Sequence, residues 1–263
     1  MDLQLTNKVA LVTGSTAGIG LAIARRLAAE GAEVILTGRT EARLAEARAA
    51  VLAETPGAKV RTVAVDFGEA TQVQHLLREV PTVDILVNNV GIFDPKPFAE
   101  IPDEEWVRFF EVNVLSGVRL SRQYFPLMIQ QNWGRILFIS SESALQIPEE
   151  MIHYGTTKTA QLAVARGLAE LTKGTAVTVN SVLPGPTASE GVEEFIQKLS
   201  AEGKSKAEAE QEFFQTARPS SLLQRFATTD EVANMVAYLA SPLASATNGA
   251  SVRVDGGVIR SIG

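Results

Sequence analysis

Apolar positions along the chain follow two alternating rhythms. Seven short runs are apolar at nearly every position and rich in β-branched residues: KVALVTG (8–14), EVILTG (33–38), KVRTVAVD (59–66), VDILVNNVG (83–91), GRILFISS (134–141), AVTVNSVLPG (176–185) and ASVRVDGG (250–257). These predict strands. Between them the pattern changes to the helical one. Ile19, Ile23 and Leu27 repeat every four residues and Gly31 is placed to end the turn, so a helix is expected from Gly18 to about Ala32. Further helices are expected over the Ala-rich, charge-paired residues 41–54, near 69–79, across 103–131 with a bend near Pro126, over about 154–173 and over about 229–240. Strands apolar on both faces, alternating with helices, mark a parallel sheet covered on both sides, the doubly wound α/β fold. No repeat or low-complexity linker divides the chain, so residues 1–263 read as one domain.

One segment breaks the rhythm. Residues 187–227 are polar, charged and rich in Ala, Glu and Lys. Phe195, Ile196 and Leu199, and then Phe213 and Phe214, predict two short amphipathic helices there. A connection this long is either a solvated excursion or a functional lid. It leaves the C-terminal end of a strand, where ligands bind in such sheets, and that favours a substrate lid.

Composition narrows the function classes. A formal net charge of −6 gives no electrostatic reason for a nucleic acid or an anionic membrane as partner. The absence of cysteine excludes thiol catalysis, disulfides and thiolate metal sites. The two histidines, His75 and His153, are far apart in sequence, so no metal site is expected. No leader pattern and no apolar run of about 20 residues is present, and a soluble, cytoplasmic protein is the expectation.

The first strand runs into its helix through Thr13-Gly14-x-x-x-Gly18-x-Gly20. Such glycines serve either a turn needed only for packing or a loop whose backbone approaches a pyrophosphate at a helix N-terminus. The position between strand and helix favours the phosphate loop. The second strand ends in Thr37-Gly38-Arg39-Thr40, without the acidic residue that accepts ribose hydroxyls in NAD binders. Arg39 suits a 2′-phosphate instead, so NADP(H) is favoured and NAD(H) is the alternative. Asp66, at the end of the third strand, can accept a hydrogen bond from an adenine amino group, with Phe67 beside it.

Tyr154 and Lys158 are four residues apart on one helix face, and Ser141 ends the fifth strand 13 residues upstream of Tyr154. Carbonyl reduction needs a proton donor and a polarising hydrogen bond while hydride arrives. Tyrosine, with an ordinary pKa of about 10, would be brought into range by a neighbouring ammonium. Ser141 would hold the substrate oxygen. His153 beside Tyr154 is expected to pack in the interior or a loop, since no G-x-S-x-G elbow supports a hydrolase, and His75 is expected on a solvent-facing helix.

In these motifs and their order the whole chain resembles the short-chain dehydrogenase/reductase family, and within it the 3-oxoacyl carrier-protein reductases. Asn88-Asn89-Val90-Gly91, with Val90 for the usual Ala, stands at the N-N-A-G motif, Asn113 at the catalytic asparagine, and Pro184-Gly185 and Thr187 after the sixth strand. The resemblance implies a catalytic set of Asn113, Ser141, Tyr154 and Lys158. It has Tyr154 acting as acid and base, Lys158 bonding the nicotinamide ribose, and Asn113 holding a water between Lys158 and solvent. It implies cofactor contacts from Gly14, Ser15, Thr16, Gly18, Ile19, Gly20, Arg39, Asp66, Phe67, Asn89, Gly91, Tyr154, Lys158, Pro184, Gly185 and Thr187, and a homotetramer. Ile92, Phe93, Leu145, Ile147 and Met151 are the expected substrate-pocket residues, implying an apolar, medium-sized carbonyl or alcohol. Glu142 and Glu150 read as solvated loop charges. The function expected is an NADP(H)-dependent oxidoreductase acting on a ketone or secondary alcohol. An NAD(H) enzyme of the same kind and a non-catalytic dinucleotide-binding regulator are the alternatives.

Overall fold

The structure is a computed structural model that describes residues 1–189 and 205–262. Its seven strands are β1 Val9–Val12, β2 Glu33–Gly38, β3 Val60–Ala64, β4 Ile85–Asn88, β5 Gly134–Ile139, β6 Val177–Pro184 and β7 Ser251–Val254. They form one sheet in the order β3-β2-β1-β4-β5-β6-β7, and every pairing is parallel. The helices are α1 Gly18–Ala29, α2 Glu41–Glu54, α3 Ala70–Glu79, α4 Asp103–Phe110, α5 Ser116–Gln130, α6 Ile152–Glu170, α7 Lys206–Thr216 and α8 Thr229–Ala240.

The strands are apolar at successive positions because both faces are covered. Ala10, Val12, Val34, Leu36 and Val87 lie in the core shared with α1, α2 and α8, through Ile23, Leu44 and Val236. Leu11, Ile35, Leu86 and Ile136 lie in the opposite core with α3, α5 and α6, through Leu76, Leu120 and Ala165. Each such side chain contributes about 1.5–3 kcal/mol by leaving water. Order reverses between β1 and β4, whose register places Val12 beside Val87. The connections after these two strands leave from the same sheet end, which opens a crevice there.

One expectation about the elements changes. The long helical stretch is interrupted at a π-helical turn, Glu111–Leu115, and Pro126 lies inside α5. The physical reason is a contact from another helix: Gln161 of α6 donates to the Asn113 carbonyl at 2.5 Å, so that carbonyl serves a neighbouring helix. In the 187–227 excursion the second expected helix is α7, opened by a capping box between Ser205 and Glu208. The first, at Phe195, Ile196 and Leu199, lies outside the described residues. Phe213 and Phe214 of α7 meet Phe226 with ring centroids 5.0–5.1 Å apart, and Thr187 bridges to Ala227, which ties α7 to the end of β6.

Candidate active site

The crevice begins at the turn after β1. Gly14 has φ +60° and Gly18 φ +55°, the left-handed region that glycine adopts without strain. A Cβ on Gly20 would collide with the Gly14 carbonyl and the Asn89 side chain, so this glycine lets α1 close over the turn. Thr13 and Asn89 lock the floor. Thr13 Oγ1 accepts from the Asn89 and Val90 amides at 2.8 and 2.9 Å, and Asn89 Nδ2 donates to the carbonyls of Thr13 and Gly14. Among the described residues no side chain caps the α1 N-terminus, and its first turn holds no acidic residue, leaving N–H groups and the positive end of the helix dipole for an anion.

A groove of about 690 Å³ runs from this turn past Thr16, Gly18, Ile19 and Gly20 to Arg39, Thr40 and Arg43. Two guanidinium groups one helical turn apart therefore stand at its far end. Arg39 has no ion-pair partner among the described residues, whereas Arg43 lies 4.0 Å from Glu46. Thr40 caps α2, accepting from the Arg43 amide. The open helix end and the arginines fit a phosphorylated dinucleotide. Four residues expected at the cofactor line neither this groove nor the cavity it joins. Gly14 shapes the turn. Ser15 is buried with its hydroxyl linking Val12 O to the Thr37 amide. Asp66 accepts from the Gly68 amide at 2.9 Å, and the Phe67 ring is in the core.

Through Ile19, Asn89, Gly91 and Ser189 the groove joins a cavity of about 500 Å³. Ser141, Tyr154, Lys158, Pro184, Gly185 and Thr187 line it, with Phe93, Met151, Phe213 and Phe226 as its apolar wall. Ser141 arrives on the end of β5, and Tyr154 and Lys158 on the first turns of α6. Gly91, on the loop after β4, passes close to Lys158: a Cβ there would sit 3.4 Å from Nζ. Phe93 meets the Tyr154 ring edge-on at 6.2 Å.

Asn113 stands behind the cavity. Its Oδ1 accepts from the Ile92 amide at 2.7 Å and its Nδ2 donates to Ile92 O and Thr157 Oγ1, both at 3.0 Å. Lys158 Nζ donates to Ile139 O at 2.9 Å and to Gln161 Oε1 at 3.4 Å. Gln161, absent from the sequence reading, thus joins Lys158 to the Asn113 carbonyl. It lies three residues beyond Lys158 on the same helix, a spacing that could have singled it out.

The expected effect of Lys158 on Tyr154 is corrected. Burial, and after it the Glu142 carboxylate, push the Tyr154 phenol above its ordinary value, while a Ser141 hydrogen bond and Arg218 pull it down. Burial also pushes the Lys158 ammonium down to about 8. Burial thus shifts both groups toward their neutral forms, although a lysine at about 8 still carries its proton at neutral pH.

The pocket expectation is corrected at three residues. Leu145 and Ile147 are 51% and 48% exposed and do not line the cavity. A 3₁₀ turn at Glu142–Ala144 carries the chain outward, and Ile147 covers Gly155 from outside, where a Cβ would sit 2.7 Å from Ile147 Cγ2. Ile92 spends its backbone on Asn113 and does not line the cavity either. Glu142 is no solvated charge: it is buried and ion-paired with Arg218, whose Nε lies 3.1 Å from Oε1. Arg218 also reaches Glu150 at 3.3 Å. His153 is buried with its ring 4.1 Å from Phe109, and His75 is exposed on α3, as expected of both.

Comparison with known proteins places this geometry. Residues 8–200 match the family described as short chain dehydrogenase. The uncharacterized oxidoreductase YvaG of Bacillus subtilis is 49% identical over the full length of both chains. The 3-oxoacyl-[acyl-carrier-protein] reductase FabG of Aquifex aeolicus is 35% identical over 98% of this chain and 100% of its own. Among solved structures, L-sorbose reductase from Gluconobacter frateurii, complexed with NADPH and L-sorbose, superposes with a TM-score of 0.92, at 31% identity and full coverage of both chains.

Proposed function

The chain belongs to the short-chain dehydrogenase family and is an oxidoreductase, and from that premise we propose that it transfers a hydride between NADP(H) and a ketone or secondary alcohol, with Tyr154 as general acid and base. One observation carries the reading. Ser141, Tyr154 and Lys158 line a cavity that opens into a groove ending in Arg39 and Arg43. The relative complexed with NADPH and the ketose L-sorbose supports both the cofactor and the substrate class.

When bound, the nicotinamide supplies or accepts the hydride. The first turn of α1, with Thr16, Gly18, Ile19 and Gly20, holds the pyrophosphate, and Arg39 binds the 2′-phosphate. The resemblance assigns Asp66 and Phe67 to the adenine, although neither lines the groove and the Phe67 ring is in the core. Pro184, Gly185 and Thr187 flank the nicotinamide end. Tyr154 gives its proton to the carbonyl oxygen in reduction and takes one from the alcohol in oxidation. Ser141 orients that oxygen. Lys158 bonds the nicotinamide ribose, and those hydroxyl partners help it keep its proton in a buried site. Asn113 acts behind Lys158, through Gln161 and its own carbonyl. Phe93, Met151 and Phe213 bound the carbon skeleton, with α7 as the described part of a substrate lid. A homotetramer belongs to the same reading, and light scattering on the purified protein tests it.

Purified protein is assayed with NADPH and with NADH against a panel of ketones, following loss of the reduced nicotinamide absorbance. The expected result is turnover of at least one ketone, with kcat/KM higher for NADPH. A preference for NADH would refute the role of Arg39, and no turnover with either cofactor would refute the reaction.

A further inference from the structure

The mechanism above makes no use of Glu142, yet this carboxylate is 5% exposed and lies against the reacting groups. Its Oε2 accepts the Ser141 hydroxyl proton at 2.5 Å, while its Oε1 accepts from Arg218 Nε at 3.1 Å. Arg218 follows α7 and is 76 residues away in sequence. Its Nη1 donates to Glu150 Oε1 at 3.3 Å, and its amide is held by Phe213 O at 3.1 Å.

A serine hydroxyl has one proton to donate. While Glu142 holds it, Ser141 can accept a hydrogen bond but has none to give to a carbonyl oxygen. A hydroxyl–carboxylate bond of this length is charge-assisted and among the stronger ones. Arg218 draws on the same carboxylate from the other side and so weakens its claim on Ser141. We propose that Glu142 and Arg218 form a positioning pair that decides whether the Ser141 proton goes to the carboxylate or to the reacting oxygen, and thereby sets how readily Tyr154 gives up its own proton.

The proposal rests on the reading of Tyr154 as the proton donor. The groups facing Tyr154 are Ser141 and Glu142 from the turn after β5, Lys158 from its own helix, Arg218 from the end of α7 and Glu150 from the turn before α6. Glu142 raises the Tyr154 pKa and Arg218 lowers it. The two partners therefore act in opposite directions, whereas an ion pair that only braced α7 would fail alike when either half was removed.

The test is the alkaline limb of kcat/KM for ketone reduction, where activity is lost as the interacting Tyr154 and Lys158 site deprotonates. In Glu142→Gln the limb moves about one pH unit lower, and in Arg218→Gln it moves higher by a similar amount. The double variant returns close to wild type. Limbs that stay in place, or that move in the same direction in both single variants, overturn the proposal. If wild type reduces no ketone, the reaction reading has failed, and phenolate absorbance of the resting protein still decides the pair. Corrected by the corresponding Tyr154→Phe backgrounds, the signal appears at lower pH in Glu142→Gln than in wild type. The same onset in both, or none in either, overturns the pair.

Discussion

At the glycine end of the crevice the walls are backbone: a turn that needs Gly14 and Gly18 at positive φ, a helix end without a side-chain cap, and a floor locked by Thr13 and Asn89. At the cavity end the walls are side chains brought from many separate elements, and the decisive contacts span long stretches of chain, such as Arg218 with Glu142. The first end is shaped to hold one constant chemical feature, a phosphate. The second is where charge, burial and hydrogen-bond competition adjust proton affinities, so its behaviour depends on the sum of several neighbours rather than on one motif.

Mutations that separate the two ends sharpen this contrast. The largest expected effect is at the cavity end. Lys158→Met removes the ammonium that supports Tyr154 and lowers kcat by about 10²–10⁴-fold. It also removes a buried charge, so thermal unfolding of the unliganded protein is expected at an equal or higher temperature. A variant that loses activity by unfolding would break the assignment.

A smaller effect on turnover, but with a cost to the fold, is expected at the glycine end. In Gly20→Val the added side chain meets the Gly14 carbonyl and Asn89. Urea denaturation is expected to show a loss of about 1–3 kcal/mol, accompanied by weaker NADPH binding in a fluorescence titration. Unchanged stability and binding would mean that the turn has slack the structure does not show.

The smallest effect is expected at the far end of the groove, where Arg39 is exposed. Arg39→Ser lowers the NADPH-over-NADH ratio of kcat/KM by roughly tenfold, the loss of one charge-assisted contact. Turnover with NADH changes little. A ratio unmoved by the substitution would assign the 2′-phosphate to Arg43 instead.

The difference between the ends also explains what the sequence made legible. Strand–helix alternation, the glycine turn, Arg39 and the Ser141, Tyr154 and Lys158 set are short-range patterns, and the fold they imply is the fold observed. Arg43 and Gln161 were readable in principle, one helical turn from Arg39 and Lys158. The outward path of Leu145 and Ile147, the burial of Glu142 and the π-helical turn at Asn113 were not. The last two depend on partners distant in sequence, Arg218 against Glu142 and Gln161 against the Asn113 carbonyl, and the first depends on how Ile147 packs over Gly155. The shift of Tyr154 was misjudged for the same reason. Spacing showed the lysine, but not the burial and the carboxylate that raise the phenol.

The central claim is that one phenol transfers the proton while the binding groove works independently of it. The direct measurement is Tyr154→Phe, compared with wild type for ketone turnover and for NADPH affinity by fluorescence in the same preparation. The account predicts NADPH affinity within about twofold of wild type and a turnover loss of at least about 10²-fold. Near-wild-type turnover in the variant would contradict it.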